Sequence, residues 1–428
     1  MTSSAARGAS ERPGVLECPD VLVVGGGPAG STVAGLLALA GWSVTLVDRA
    51  RFPRPKPCGE CLNPGAVALL ARLGLLDAIH ALRPARIEGW RLHADGATAE
   101  GRFGDDLFVL GVDRARLDAA LLDRARGRGV RVLEGVHVLR VDAGGEADRP
   151  GAWARTDRRE HLVFRPRVLI GADGLRSVVA RRLGLVARTP RLRKTSITCH
   201  VAGAGIERPG DGGVGRLYLR TGLTVGVAPL AESGVIYNVT VAVPAANARS
   251  MAGDVLAFFH RALACTELRI APGAIVEGPW VSGPFDWPVP RPWAGSVILV
   301  GDAAGYFDPL TGQGIHRALR SAELAAEAVD SALRQAADAA RTDPRASVWE
   351  SVPSHPLRSY ARHVRREFAA GRRVQRVIEA VLSHDALRRR AVAILGRTRW
   401  LDRVVRMTGD VPATRGSGTW RIPSGMES

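Results

Sequence analysis

The sequence predicts an α/β protein in which a doubly wound parallel sheet carries an inserted antiparallel β-sheet and ends in a helical C-terminal region. Three observations support this fold class. An apolar run at 21–24 leads into a glycine-rich turn and a helical segment at 31–40. The same strand–turn–helix order returns at 168–177 and at 297–315. Between the segments 168–177 and 297–315, β-rich stretches follow one another from 194 to 276, which indicates a separate antiparallel sheet.

Length and composition limit the class of protein. A chain of 428 residues, 46% of them hydrophobic, is long enough for two or three globular domains. No apolar run reaches the roughly 18 residues that a membrane span requires. Residues 1–17 lack the apolar core of a secretory signal, and we expect a disordered lead-in there. The odd number of cysteines, five, favours a reducing compartment, and we expect a cytoplasmic location.

The net charge of +17 comes almost entirely from arginine, because Lys56 and Lys194 are the two lysines of the chain. The arginines are scattered through most predicted helices and loops, which argues against nucleic acid as a partner. They are denser in the C-terminal third. Weak contact between basic C-terminal helices and an acidic membrane surface therefore stays open.

Gly25, Gly27 and Gly30 form the first motif, a G-x-G-x-x-G turn between a predicted strand and a predicted helix. Such glycines allow a tight turn, close approach of the backbone to a pyrophosphate, and close packing of helix on strand. The helix N-terminus presents free N–H groups to that phosphate. The next strand ends at Asp48, whose carboxylate can accept hydrogen bonds from ribose hydroxyls. This context predicts a dinucleotide site.

A long loop, 49–65, follows the second strand. Its prolines and glycines exclude a helix, and a loop of this length within a compact domain is usually functional. Cys58 and Cys61 have the spacing of a redox pair, but they do not stand at the start of a helix. No second cysteine pair completes a zinc site. We therefore expect no metal, and a dithiol role is the weaker alternative.

Two further turns follow buried strands and lie at carboxyl strand ends, where open α/β sheets bind ligands. The second of them precedes a predicted helix at 316–334, which leaves backbone N–H groups available to an electron-rich ligand. The candidate binding residues are Asp173 and Gly174 in the first turn, and Gly301, Asp302, Pro309, Gly312 and Gly314 in the second.

In this order, the three motifs resemble the FAD-binding pattern of the aromatic-hydroxylase-like flavoproteins, over residues 20–334. The resemblance implies a Rossmann-type FAD-binding domain that holds FAD non-covalently. It implies contacts from Gly25, Gly27, Gly30 and Asp48 to the ADP half, from Asp173 near the pyrophosphate, from Asp302 to the ribityl chain, and from Pro309, Gly312 and Gly314 to the isoalloxazine. Arg114 resembles the arginine that reaches the cofactor from the following helix. Further cofactor contacts are expected from Pro28, Ala29, Arg49, Val136, Gly174 and Gly301.

Within that superfamily, the segment from Lys56 to Glu60 resembles a loop of the geranylgeranyl reductases, in which the cysteine faces the flavin. It is also similar to a segment of the flavin-dependent halogenases with a catalytic lysine, although Cys58 is an additional residue in that alignment. The resemblance makes Cys58, Glu60 and Lys56 the catalytic candidates. His316 is a weaker candidate for a proton donor.

The segment from Thr224 to Pro229 departs from both relatives. The resemblance places aromatic residues there, whereas this chain has Thr224, Gly226 and Ala228, which share one face of a strand. Without the aromatic barrier, a substrate can reach the isoalloxazine directly, as hydroxylation requires. We predict a substrate pocket at Thr224, Gly226, Ala228 and Pro229. Other aromatic candidates for its wall are Tyr218, Trp287, Tyr306 and Phe307.

The leading interpretation is an NAD(P)H-driven FAD monooxygenase that hydroxylates an apolar or aromatic biosynthetic small molecule. The alternative is a reductase of isoprenoid-like double bonds. A flavin halogenase or a non-enzymatic FAD-binding protein is less favoured. A second nucleotide motif is not evident, so NAD(P)H is expected as a transient donor, and an external flavin reductase is the alternative source of electrons.

The motifs divide the chain into segments. We expect a lead-in at 1–17, the first part of the FAD-binding domain at 18–190, a β-rich substrate domain at 191–290, the final part of the FAD-binding domain at 291–340, and a linker with a basic helical region at 341–428.

Overall fold

A computed structural model describes most of the chain. The described residues are 15–104, 107–144, 148–187, 194–206, 213–247, 251, 253–271, 273–306, 308–342 and 352–410. Phe307 lies outside them, as do 1–14 of the predicted lead-in and 343–351 of the predicted linker.

The described strands are β1 Val15–Glu17, β2 Val21–Val24, β3 Val44–Asp48, β4 Cys61–Leu62, β5 Ala85–Ile87, β6 Gly89–Ala94, β7 Ala97–Arg102, β8 Val109–Gly111, β9 Arg131–Glu134, β10 Val136–Asp142, β11 Gly151–Thr156, β12 His161–Phe164, β13 Val168–Gly171, β14 Lys194–Ala202, β15 Val214–Arg220, β16 Leu223–Pro229, β17 Ile236–Pro244, β18 Ile275–Ser282, β19 Trp293–Ala294 and β20 Val297–Leu299. The α-helices are α1 Pro28–Leu39, α2 Pro64–Arg72, α3 Leu76–His80, α4 Arg114–Gly127, α5 Val178–Arg182, α6 Val255–Ala264, α7 Gly314–Thr342, α8 Ser354–Glu367, α9 Ala369–Leu382, α10 Asp385–Arg397 and α11 Trp400–Thr408.

The predicted doubly wound sheet is confirmed. Its six strands have the order β19-β20-β13-β2-β3-β9, and all neighbours except β19 and β20 are parallel. Strand β2 consists of apolar residues only, and its packing explains why. Val21 and Val23 pack against the helices on one face of the sheet, and Leu22 and Val24 pack into the core on the opposite face. A strand that is buried on both faces needs apolar residues at every position.

The second face of this sheet is covered by a smaller four-stranded sheet with the order β1-β12-β11-β10, together with α5. Its strand β1 corrects one expectation. The sequence predicts a disordered lead-in over 1–17, but Val15–Glu17 pairs in parallel with β12. The ladder hydrogen bonds of β12 hold this short segment, although its side chains contribute little burial.

The predicted antiparallel substrate sheet is also present, but it begins earlier in the chain than 191. It has seven strands in the order β18-β14-β17-β16-β15-β6-β7. The hairpin β6–β7 is contributed by the predicted first part of the FAD-binding domain and joins through parallel pairing of β6 with β15. The place of this hairpin in the seven-stranded sheet therefore depends on a contact between segments more than a hundred residues apart.

The helices at the C-terminus return to the two sheets. Helix α8 packs along α7, whereas α10 and α11 pack on β7 at the edge of the substrate sheet. These helices confirm the predicted helical C-terminal region. Within the described ranges, no helix combines the length and apolar composition needed to cross a membrane.

Candidate active site

The turn after β2 contains two glycines that the fold requires, whether or not a cofactor is bound. Gly25 has a φ of +111°, and a Cβ added there would lie 2.4 Å from the carbonyl oxygen of Ala172. A Cβ at Gly30 would lie 1.8 Å from the carbonyl oxygen of Gly25. Any side chain at either position would force the turn, α1 and β13 apart.

Gly27 differs, because its own surroundings do not require a glycine. Its φ of −74° and ψ of −175° are ordinary extended values. A Cβ there would meet only the end of the Arg54 side chain, at 3.8 Å. No side chain caps α1 at this position, and Gly27, Pro28 and Ala29 lie in the wall of a cavity. This open cradle at a helix N-terminus fits a pyrophosphate group of FAD.

Asp48 braces the glycine turn from the end of β3. Its Oδ2 accepts a hydrogen bond from the Gly26 N–H at 2.7 Å, and its Oδ1 accepts one from the Ala50 N–H at 2.8 Å. The predicted contact with a ribose stays a prediction. Arg49 follows Asp48 and is exposed, whereas Val136 is buried in the core between the central sheet and β10–β12.

The other two predicted turns lie next to this one, because their strands flank each other in the central sheet. Asp173 caps α5: its Oδ2 accepts from the Val178 N–H and its Oδ1 from the Ser177 hydroxyl, both at 2.5 Å. Burial raises the pKa of Asp173. Asp302 instead lies in the wall of a large cavity, 4.0 Å from Lys56 Nζ. The structure thus brings all three motifs to one edge of the sheet.

Arg114 and Lys56 supply positive charge to this cavity. Arg114 is buried and holds Asp118 through two hydrogen bonds, from Nε at 2.9 Å and from Nη2 at 3.0 Å. Burial opposes the charge of Arg114, but Asp118 outweighs it and raises the pKa of the guanidinium. Burial and the neighbouring Arg114 lower the pKa of Lys56, against the opposing effect of Asp302 and Asp118.

The loop that carries the catalytic candidates forms part of the cavity wall from Lys56 to Cys61. The Cys61 thiol donates to the Gly59 carbonyl at 3.1 Å, and burial raises its pKa. The thiols of Cys58 and Cys61 are both free. A buried thiol with a raised pKa is a poor nucleophile, so the geometry gives no support to a dithiol pair.

Glu60 is the most constrained residue of this loop. Its φ of +56° is a left-handed value that costs a non-glycine residue about 1 kcal/mol or more. Three donors hold its carboxylate: the Arg114 N–H at 2.9 Å, His200 Nε2 at 2.7 Å and Asn238 Nδ2 at 2.8 Å. Sequence motifs pointed to Glu60 but missed His200 and Asn238, which stand on β14 and β17 without any local signature.

His200 lies between carboxylates on both sides of its ring. Nε2 faces Glu60, whereas Nδ1 lies 3.1 Å from Glu277 Oε2 and 3.9 Å from Asp113 Oδ2. Burial alone would lower the pKa of His200, but these three carboxylates outweigh it and raise the pKa. The ligand atoms of Glu60, Asp113 and His200 lie close enough for a metal ion. The two ring nitrogens face different acids, so that His200 bridges carboxylates on both sides of its ring.

The cavity has a volume of about 430 Å³ and extends from the three motifs to the C-terminal helices. Its far end is mostly apolar, although Arg388 and Thr408 also belong to the wall there. There the wall is formed by Trp90, Leu92, Leu217, Leu219, Val377, Ile378, Val381, Leu382, Ala391, Val392, Leu395, Leu401, Val404 and Val405. The C-terminal helices α9–α11 therefore form a lid over it. Their apolar residues recur at helical spacing in the sequence, but nothing in the sequence says which surface they cover.

The lid is fastened beside the predicted isoalloxazine loop by residues at its C-terminal end. The Asp410 carboxylate accepts hydrogen bonds from Gln313 Nε2 at 2.6 Å and from Asn63 Nδ2 at 2.9 Å. His316 Nδ1 lies 3.1 Å from the same carboxylate. The geometry of this contact is not that of a hydrogen bond, and a proton-donor role of His316 stays a prediction.

The predicted pocket strand β16 contributes some of the expected residues. Gly226 and Ala228 lie in the cavity wall, together with Val227, whereas Thr224 and Pro229 are outside it. A Cβ added at Gly226 would meet only Leu217 Cδ2, at 3.5 Å. Among the aromatic candidates, Tyr306 lines the cavity, and Tyr218 instead stacks on His93.

Arg388 anchors the lid to the substrate sheet. It is 1% exposed, and its guanidinium donates to Asp95 at 2.7 Å and to Asp385 at 2.9 Å. We expect Arg388→Ala to detach α10 and to lower the free energy of unfolding by about 1–3 kcal/mol. The loss stays moderate because Arg220 still pairs with Asp95. Faster proteolytic cleavage within the lid, with Arg389→Ala as the neighbouring control, checks this expectation. Equal cleavage of both variants would contradict it.

Comparison with known proteins agrees with this geometry. A family model described as an FAD binding domain matches residues 19–253. A menaquinone reductase of Mycobacterium tuberculosis is 31% identical over 74% of this chain and 78% of its own length. A tryptophan 2-halogenase of Chondromyces crocatus is 29% identical over 75% of this chain, which spans 62% of the halogenase. The solved flavin-dependent halogenase CmlS has a TM-score of 0.66 and 27% identity over 75% of this chain and 59% of CmlS.

Digeranylgeranylglycerophospholipid reductases are also similar in sequence, and a p-nitrophenol 4-monooxygenase has a similar fold. The resemblance to hydroxylase-like, reductase and halogenase flavoproteins is therefore confirmed. The chain spans less than two thirds of the length of the tryptophan 2-halogenase and of CmlS. By the match of the family model and the identity to the reductases, the chain belongs to the FAD-binding-domain family and is an FAD-dependent oxidoreductase.

Proposed function

We propose that the enzyme is an NAD(P)H-driven monooxygenase that hydroxylates an apolar or aromatic small molecule. The observation that carries the proposal is one cavity that joins the predicted isoalloxazine loop to an apolar chamber past Gly226. Among the described residues, a Cβ at Gly226 would meet only Leu217 Cδ2, at 3.5 Å, so that open space lies beside this part of the cavity wall. An apolar substrate could therefore lie directly against the cofactor.

FAD, when bound, supplies electron transfer from the nicotinamide donor and reaction with dioxygen. The residues of the chain bind and orient the cofactor and the substrate. The N-terminus of α7 at Gly314 favours negative charge beside the loop from Pro309. Lys56, with its lowered pKa, can exchange a proton near Asp302. The lid helices exclude water from the apolar chamber. We further propose that FAD is held non-covalently, so that acid precipitation releases it to the supernatant.

Reduction of isoprenoid-like double bonds is the second candidate, because Cys58 lies in the cavity wall and the chamber is lined by aliphatic side chains. The similar menaquinone and lipid reductases favour it. The exposed Leu387, Ile394 and Trp400 on the basic lid would suit contact with an acidic membrane surface that holds such a substrate.

The two candidates are separated by their products. The FAD-loaded protein is incubated with NAD(P)H and a panel of apolar aromatic and isoprenoid compounds, in isotopically labelled dioxygen. A product that gains one labelled oxygen supports the monooxygenase. A product that gains only a pair of hydrogens, with or without dioxygen, contradicts it and supports the reductase. If turnover starts only when a flavin reductase is added, NAD(P)H is not the direct donor.

A further inference from the structure

The described residues contain one buried chain of proton-exchanging groups that reaches from solvent to the cavity wall. Glu277 has 59% of its side chain exposed, whereas His200 and Glu60 have 5% and 3%. The distances along the chain are 3.1 Å from Glu277 Oε2 to His200 Nδ1 and 2.7 Å from His200 Nε2 to Glu60 Oε2. Both are hydrogen-bond distances. Glu60 then contributes to the cavity wall beside Cys58.

The surrounding hydrogen bonds fix the direction of this chain. Thr240 donates to Asn238 Oδ1 at 2.8 Å, so that Asn238 Nδ2 must be the donor toward Glu60 and toward the Cys58 carbonyl. Glu60 thereby accepts at both carboxylate oxygens, and we assign the hydrogen of the contact between His200 Nε2 and Glu60 Oε2 to the histidine. Trp280 packs edge-on against the imidazole at 4.9 Å between ring centres and covers it from water. The charged groups that face His200 are Glu60, Asp113 and Glu277.

We propose that Glu277, His200 and Glu60 form a proton path from solvent to the cavity, with His200 as the internal carrier. The proposal rests on the proposed function in that the cavity reaction consumes a proton. His200 passes the Nε2 proton to Glu60 Oε2, and Glu60 passes it to an acceptor in the cavity. The neutral imidazole keeps its Nδ1 proton. A half-turn of the ring about Cβ–Cγ carries the unprotonated Nε2 to the side of Glu277, where it takes a proton from solvent through the exposed Glu277 carboxylate. The reverse turn restores the starting state.

His200→Gln and Glu277→Gln are the test variants, since each keeps size and hydrogen bonding but cannot carry the proton. The matched controls are His93→Gln and Glu267→Gln, a histidine and a glutamate that approach each other at 3.6 Å outside the cavity wall. We expect His200→Gln to lower kcat for NAD(P)H oxidation about tenfold or more, with KM unchanged. The controls should behave as the unchanged enzyme does.

The pH profile and chemical rescue separate a carrier from a structural residue. In the unchanged enzyme, the rate should fall as pH rises through the raised pKa of His200, because the donor is lost above it. Glu277→Gln should move this fall to lower pH, and His200→Gln should remove it. Added imidazole should restore the rate of His200→Ala. Absence of rescue together with an unchanged profile would overturn the proposal.

A readout that needs no turnover completes the test. The imidazole resonance that disappears in His200→Gln is followed by NMR titration of the FAD-loaded protein. We expect it to titrate above the usual histidine range, and to move down in Glu277→Gln. A resonance that titrates identically in both proteins would overturn the proposal even if His200 variants fold poorly. Because NAD(P)H oxidation is followed whatever product forms, failure of hydroxylation alone would contradict the proposed function and leave the proton path standing.

Discussion

Gly27→Val is expected to leave the protein folded and to lower its affinity for FAD at least about a hundredfold. The folded state tolerates the side chain, because Gly27 has an ordinary backbone conformation and open space around its missing Cβ. The pyrophosphate does not tolerate it, because the valine fills the cradle at the N-terminus of α1. Loss of one or two hydrogen bonds to a charged group, at about 1.5–3 kcal/mol each, gives this magnitude.

FAD occupancy is measured as the ratio of flavin to protein absorbance, and folding by thermal unfolding. Cys58→Ala is the comparison, because it also changes the cavity wall but should keep FAD. Asp302→Ala should fall between them, since it removes one charge-assisted contact to the cofactor. If Cys58→Ala loses FAD while Gly27→Val keeps it, the loop and not the glycine turn is the main cofactor ligand.

The cofactor half of the molecule could be predicted from sequence because its constraints are local. At Gly25 a left-handed backbone and at Gly30 a contact within the same turn leave no alternative to glycine. The uninterrupted apolar residues of β2 follow from burial on both faces. The sequence of a short segment therefore reflects the local environment of that segment. Three such segments in this order indicate the FAD-binding domain.

The side-chain contacts around the cavity could not be predicted from sequence, because they join distant segments. Glu60 and His200 are separated by 140 positions, and Gln313 and Asp410 by 97. Neither pair has a recognisable spacing. The hairpin β6–β7 was visible in the sequence, but its place in the substrate sheet depends on β15. The cavity wall includes Gly226, Val227 and Ala228 but not Thr224, so that a substrate contact at Thr224 stays a prediction.

Gly226→Trp is expected to stop product formation while FAD stays bound. The indole would extend from β16 past Leu217 into the passage between the cofactor end and the apolar chamber. The predicted cofactor contacts lie on other elements, so flavin absorbance should be unchanged. Oxidation of NAD(P)H should continue, because the donor does not need the chamber. Its electrons should reach dioxygen without a substrate and appear as hydrogen peroxide, with product reduced about tenfold or more.

Thr224→Trp is the matched control, since it places the same side chain on the same strand outside the cavity wall. It should keep both FAD and product formation. Peroxide, product and NAD(P)H oxidation are measured together for both variants, so that a slow enzyme is distinguished from one whose electrons are diverted. Normal turnover by Gly226→Trp would show that substrate does not cross this passage, and direct contact of substrate with the cofactor would lose its support. Loss of product in Thr224→Trp as well would indicate distortion of β16 in place of a blocked passage.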